Sequence, residues 1–217
     1  MKVIKTLIII ALTLFTPNFA VNSANLEEEI VNTKHLIEIF EEEQRIDSIN
    51  RLNAFLDTLA FKESINTWDT INVFGYVGKY QFGTAARIQV GAPKFHWREF
   101  EKEPCIWPEH EQDSAVIKLM KWNHGYLMRF FQEEGDHLKY DHLYRPIIAK
   151  RDTRWYCQGD TVYITWSGLY AASHLVGPGN VRKFLNSDGW LDKQDANDVS
   201  AFDYLKYFED NKSKPII

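Results

Sequence analysis

One carboxylate lies on the apolar face of a predicted helix. In SINRLNAFLDTLAFKES, apolar residues recur at i, i+3, i+4, i+7 and i+8, which predicts an amphipathic helix through Leu52, Phe55, Leu56, Leu59 and Ala60. Glu63 continues this face, because it lies four residues after Leu59 and seven after Leu56. The sequence therefore predicts that the Glu63 side chain faces the protein and not water.

This position predicts a carboxyl group that stays protonated near neutral pH. Partial burial disfavours the ionised carboxylate, and the negative end of the helix dipole disfavours it again. Both effects raise the expected pKa of Glu63. A protonated carboxyl group is what a general acid needs in order to give a proton to a glycosidic oxygen. The alternative is a glutamate at the end of a helix whose side chain bends into solvent.

The segment after this helix is rich in glycine and aromatic residues. It reads NVFGYVGKYQF and contains Gly75, Tyr76, Gly78, Tyr80 and Gln81. Glycine allows positive φ and close backbone approach, aromatic rings offer flat faces to sugar rings, and a glutamine amide both donates and accepts hydrogen bonds. These are the groups of a carbohydrate cleft. A hairpin or tight loop that only packs is the alternative.

The order of these segments resembles the catalytic signature of the lysozyme-like superfamily, in particular lytic transglycosylases and goose-type lysozymes. The matching blocks are KES, GYVGKYQF and ITWSGLYAASHLVGPGNVRKFL, the last of which (164–185) is similar to the helix and Gly-rich turn on the other side of the cleft. The resemblance covers roughly residues 50–208. It implies a mainly α (α+β) lysozyme-like fold, in which a small hairpin or loop lies next to the catalytic helix.

The resemblance also implies roles for individual residues. Glu63 matches the catalytic glutamate, Ser64 follows it as in the family, and Gln81 matches the glutamine that lines the cleft. Two positions depart from the pattern, because Tyr80 replaces a usual methionine and His174, in SHLVG, stands where the family has a tyrosine. His174 is either a hydrogen-bonded core residue or a residue that contacts substrate or orients Glu63. The predicted substrate-binding residues are Ser64, Tyr76, Tyr80, Gln81 and His174.

The reaction that this resemblance implies is that of a lytic transglycosylase. One glutamate, here Glu63, protonates the bond between N-acetylmuramic acid and N-acetylglucosamine and then deprotonates the C6 hydroxyl that attacks C1, which gives a 1,6-anhydro product. The close alternative is a hydrolytic muramidase, which needs a second carboxylate. Asp69 is the nearest acid beyond the helix. A module that binds peptidoglycan strands without cleaving them is a third hypothesis.

The N-terminus predicts export. Lys2 and Lys5 precede an apolar stretch from Leu7 to Phe15 and then small or polar residues, as in a secretory signal peptide. We predict a signal peptide over residues 1–24, a helical extension over 25–46 and the lysozyme-like domain over 47–210. The expected location is the periplasm or the extracellular space, with no stable membrane span once the signal is removed.

Composition excludes some functions and leaves others open. A formal net charge of −5 and a pI of about 5.8 disfavour nucleic acid as a partner. No group of His, Cys or Asp residues has a convincing metal-ligand spacing, so the sequence predicts neither a metal site nor a cofactor. In an oxidising compartment Cys105 and Cys157 either form a disulfide or stay as two thiols.

Overall fold

The computed structural model describes residues 23–133 and 143–209. The predicted signal peptide, apart from its last two residues, lies outside these ranges. The chain divides into two compact units, one that ends at Asp47 and one that begins at Ser48. The candidate site lies in the second unit.

Helices dominate the described residues, which confirms a mainly helical fold class. Two short strands form an antiparallel sheet in which Ile147 is paired with Val162. None of the helices in the described ranges combines the length and apolar character needed to cross a membrane. The elements, in chain order, are α1 (Ser23–Ser64), α2 (Thr84–Val90), α3 (Trp97–Lys102), a 3₁₀ turn (Pro104–Ile106), α4 (Glu109–Glu133), β1 (Pro146–Ile148), β2 (Thr161–Tyr163), α5 (Trp166–Val176), α6 (Pro178–Asn186) and α7 (Ala201–Tyr207).

Helix α1 includes both the predicted extension and the predicted catalytic helix. The residues from Ser23 to Ser64 include no glycine and no proline, so no residue in this range interrupts the helical hydrogen bonds. The predicted apolar face is confirmed in the second unit. Phe55, Leu56, Leu59 and Ala60 are buried, and Leu52 packs against the core.

Helix α5 is the centre of the core, and its residues from Trp166 to Ser173 are all buried. It packs against α4, α6 and α7. The backbones of α5 and α7 come very close at Gly168, where an added Cβ would lie 2.9 Å from the carbonyl oxygen of Leu205. A glycine at this position therefore sets how near α7 can approach.

A buried capping box fixes the start of α7. The Ser200 hydroxyl accepts from the Asp203 backbone N–H at 3.1 Å, and the Asp203 carboxylate accepts from the Ser200 N–H at 2.7 Å. The second oxygen of Asp203 accepts from the Thr153 hydroxyl at 2.6 Å and from the Trp155 N–H at 3.2 Å. The register of α7 is thereby tied to the loop that precedes β2.

We predict that Gly168→Ala destabilises the protein by about 1–3 kcal/mol, because the new methyl group would overlap the backbone of α7. Urea unfolding followed by circular dichroism measures this change. Gly125→Ala is the matched control, since an added Cβ there would meet only the end of the Arg129 side chain at 3.9 Å. The control should be neutral or stabilising, and an equal loss in both variants would contradict the packing argument.

Candidate active site

The Glu63 carboxyl group lies inside the second unit, at the last turn of α1. Its side chain is 12% exposed. One oxygen, Oε1, accepts a hydrogen bond of 2.7 Å from the Tyr204 hydroxyl on α7. Burial raises the pKa of Tyr204 above its usual range, and the nearby Glu63 charge raises it further, so the phenol keeps the proton that it donates. The ends of two distant helices thus meet at this carboxyl group.

Burial away from water has the largest effect on the pKa of Glu63. Burial raises the pKa of Glu63 to about 7, the Tyr204 hydrogen bond lowers it, and the charge of Asp195 raises it. The predicted rise in pKa is confirmed, and burial is its largest cause. At neutral pH Glu63 is therefore protonated in a substantial fraction of the protein molecules, as a general acid requires.

His174 on α5 lies next to Glu63 without forming an ion pair. Its Nε2 is 3.9 Å from Glu63 Oε1, and burial lowers the pKa of His174 and so favours the neutral ring. The same Nε2 is 2.7 Å from the Tyr80 carbonyl oxygen. Because a carbonyl only accepts, Nε2 carries the hydrogen and Nδ1 is left as an acceptor.

The glycine-rich loop is attached to the end of α1 and to α4. The Ser64 hydroxyl donates to the Lys79 carbonyl at 2.8 Å, while the Lys79 N–H donates to the buried Gln112 side chain at 2.7 Å. Gly78 has a φ of +80°, and an added Cβ there would lie 2.2 Å from the Gln112 amide oxygen. Only glycine combines this backbone conformation with this close approach.

A cavity of about 280 Å³ opens beside Glu63. Four residues of its lining each carry a buried side-chain atom that has no hydrogen-bond partner within the described part of the chain: Gln81 Oε1, Asn123 Oδ1, Ser173 Oγ and His174 Nδ1. Buried polar atoms are normally satisfied, so orphaned ones in a cavity suit a polar ligand. Gln81 is held in place because its amide nitrogen donates to the Gly78 carbonyl at 2.8 Å.

Two further cavities adjoin the first one. One of them shares Tyr76, Leu175 and Asp195 with it, and the other shares Gly177. The second of these is also lined by Tyr126, Arg182 and Lys183. We call these three adjoining cavities the groove; Glu63 lines the first of them.

The structure brings together four of the six predicted site residues. Glu63, Tyr76, Gln81 and His174 line the cavity. Tyr80 does not, because its side chain is in the core, 1% exposed, and its hydroxyl donates to Asp113 at 2.8 Å. Ser64 is also absent from the lining, since its hydroxyl is engaged by the loop backbone. These two residues support the site and do not face it.

Sequence reasoning missed two residues of the site. Tyr204 is not among the predicted site residues, and the one available signal is that a buried tyrosine hydroxyl needs a partner. Asp195 lines the cavity from the loop before α7, in a polar segment that reads as an ordinary turn. Asp69, which the sequence offered as the nearest second acid, is exposed and does not line the cavity.

The cysteines and metal candidates are separate from this site. Cys105 and Cys157 are free and exposed, so the structure contains no disulfide between them. Among the described residues, no group of three or more His, Cys, Asp or Glu side chains is arranged to hold a metal ion.

Comparison of this chain with protein-family models, with curated proteins and with solved structures finds no match.

We predict that wild-type stability falls, relative to Glu63→Gln, as pH rises from 4.5 to 7. The unfolded carboxyl group loses its proton near 4.5 whereas the folded one keeps it to about 7, so over this range the folded state binds more protons. The difference between the two proteins should change by up to about 3 kcal/mol and then level off. Urea unfolding at pH 4.5, 6 and 8 measures it, and a constant difference would contradict a buried, protonated Glu63.

We also predict that Tyr204→Phe raises the pKa of Glu63 above its wild-type value, because the variant removes the hydrogen bond that favours the carboxylate. Titration of the Glu63 carboxyl carbon by NMR measures this directly. Tyr207→Phe is the matched control on the same helix and should leave the titration unchanged. An unchanged midpoint in Tyr204→Phe would show that the hydroxyl does not stabilise the ionised acid.

Proposed function

We propose that this chain is an exported, lysozyme-like enzyme that cleaves the β-1,4 bond between N-acetylmuramic acid and N-acetylglucosamine in peptidoglycan. Its general acid is Glu63. The observation that carries the proposal is a desolvated carboxyl group, with a pKa raised to about 7 and a fixed hydroxyl partner, on the wall of a polar cavity. A binding site alone gains nothing from burying an acid, whereas a general acid needs this environment.

The groove supports a carbohydrate polymer as the ligand. Its orphaned acceptors and hydroxyl group match the hydroxyl and acetamido groups of amino sugars, and Tyr76 offers an aromatic face beside them. The neighbouring cavities, which share Gly177 and Leu175 with the first, are the places we propose for further sugars of the strand. The negative formal charge of the chain disfavours a nucleic acid strand in the same groove.

Two chemical routes lead from the same acid. If Glu63 acts alone, the C6 hydroxyl of the muramic sugar attacks C1 and the enzyme is a lytic transglycosylase, as the sequence resemblance implies. If a second carboxylate activates water, the enzyme is a muramidase that releases a reducing end. The presence of Asp195 among the residues that line the same cavity favours this second candidate.

The proposed location follows from the predicted signal segment. Peptidoglycan lies outside the cytoplasmic membrane, so an enzyme that cleaves it has to be exported. Periplasmic or secreted localisation is therefore part of the same proposal.

The proposal is tested by digestion of purified peptidoglycan with the protein and with Glu63→Gln. We expect wild type to release soluble muropeptides and Glu63→Gln to lower the rate by at least about 100-fold, the range typical of a lost general acid. Glu101→Gln, an exposed change on α3, is the matched control and should cleave like wild type.

Mass spectrometry of the products identifies the bond that breaks. Fragments ending in muramic acid, in reducing or anhydro form, support the proposal. If neither wild type nor Glu63→Gln releases fragments although both sediment with peptidoglycan, the chain is a binding module and the proposed enzymatic function is wrong.

A further inference from the structure

Glu63 shares its cavity with one other acid. Among the described residues that line this space, Glu63 and Asp195 are the two carboxylic acids. They are far apart in the sequence: Glu63 lies at the end of α1, and Asp195 lies in the loop before α7. Their charges interact, since Asp195 is among the causes that raise the pKa of Glu63. The cavity is therefore bounded by two carboxyl groups close enough to influence each other.

Asp195 is held firmly and still has acceptor capacity. Its Oδ1 accepts from the backbone N–H groups of Asn197 at 2.8 Å and Val199 at 2.9 Å, and its Oδ2 accepts from the Asn197 side chain at 3.2 Å. In all three contacts Asp195 is the acceptor. A carboxylate has about four acceptor positions, so Oδ2 can accept one hydrogen bond beyond its contact with Asn197. An attacking water molecule would donate to this position.

We propose that Asp195 is the catalytic partner of Glu63 and accepts a proton from the water molecule that attacks the sugar. This inference rests on the proposed function and makes the reaction a hydrolysis. The two acids lie in different surroundings, one desolvated beside a phenol and the other in a turn with three N–H donors. Such a pair divides the roles of acid and base between its members.

In the proposed reaction, water attacks the sugar carbon on one side of the glycosidic bond while Glu63 protonates the oxygen on the other. The water oxygen forms a bond to C1 of the muramic sugar while the bond from C1 to the bridging oxygen breaks. The proton of Glu63 goes to that bridging oxygen, which leaves as the hydroxyl group of N-acetylglucosamine. One proton of the water stays on the new C1 hydroxyl group and the other goes to Asp195, and the later transfer of that proton to Glu63 through solvent restores both groups. The net change is the addition of one water molecule.

Product analysis in H₂¹⁸O is the first test. Hydrolysis puts ¹⁸O on C1 of each new reducing end, whereas an internal attack by the C6 hydroxyl gives 1,6-anhydro ends without label. We expect labelled reducing ends from wild type, detected by mass spectrometry. The reaction is quenched rapidly and the products are reduced with borohydride, because this prevents exchange of the label at C1. Anhydro ends as the main product of wild type would overturn the role of Asp195 and leave Glu63 as the acid.

Variants of the loop provide the second test. Asp195→Asn keeps an oxygen for the Asn197 and Val199 N–H groups but cannot take a proton, so we expect the rate to fall by at least about 100-fold while the protein stays folded. Asp198→Asn removes the same charge from an exposed position of the same loop and should cleave like wild type. Cleavage by Asp195→Asn at the wild-type rate would overturn the proposal.

Chemical rescue separates a catalytic role from a structural one. Azide is already an anion and needs no base, so in Asp195→Ala it can occupy the space of the missing carboxylate and attack C1. We expect sodium azide to restore cleavage and to give a glycosyl azide, detected by its mass, with wild type giving none. Absence of this adduct from an Asp195→Ala protein with native circular dichroism would overturn the proposal; if that variant is unfolded, Asp195→Asn decides.

These results are distinguishable from failure of the proposed function. A wild-type protein that releases no fragments, or a fully active Glu63→Gln, would refute cleavage by this acid altogether. Cleavage that depends on Glu63 and not on Asp195 refutes only the present inference.

Discussion

The hydrogen bond between the Tyr204 hydroxyl and the Glu63 carboxyl group joins the end of α1 to α7. Burial of a carboxyl group is unfavourable unless the group is hydrogen-bonded or neutral. The Tyr204 contact supplies the hydrogen bond, and the raised pKa keeps the group neutral over a wider pH range. Tyr204 reaches Glu63 because Gly168 allows α7 to approach α5 and because Asp203 fixes where α7 begins. The protonation of one acid is thus coupled to the packing of the core.

A second set of contacts shapes the cavity around this acid. Ser64 and Gln112 hold the backbone of the glycine-rich loop, and His174 donates to the Tyr80 carbonyl on the same loop. Gln81 Oε1 and His174 Nδ1, which belong to residues that line the cavity, keep no hydrogen-bond partner among the described residues. The site is therefore suited to a polar ligand, because the fold leaves these two acceptors unpaired.

Local pattern predicted the parts of the site that neighbouring residues determine. The 3.6-residue period placed Glu63 on a buried helix face, and Gly78 and Gln81 marked the loop beside it. Asp195 and Tyr204 were missed because their roles depend on contacts with residues far along the chain. Sequence periodicity carries no information about such contacts. Tyr80 was assigned to the cleft on composition, but its hydroxyl instead reaches Asp113 on α4.

The sequence resemblance predicts a tyrosine at the position of His174, and the structure shows what the histidine side chain does there. A charged imidazole beside Glu63 would favour the carboxylate and lower the pKa of the acid. Burial keeps His174 neutral, and its one hydrogen is given to the Tyr80 carbonyl. The ring therefore fixes the loop through this hydrogen bond. Because it is neutral, it does not lower the pKa of Glu63. At a position adjacent to an acid, a histidine is compatible with proton donation only when burial holds it in this neutral form.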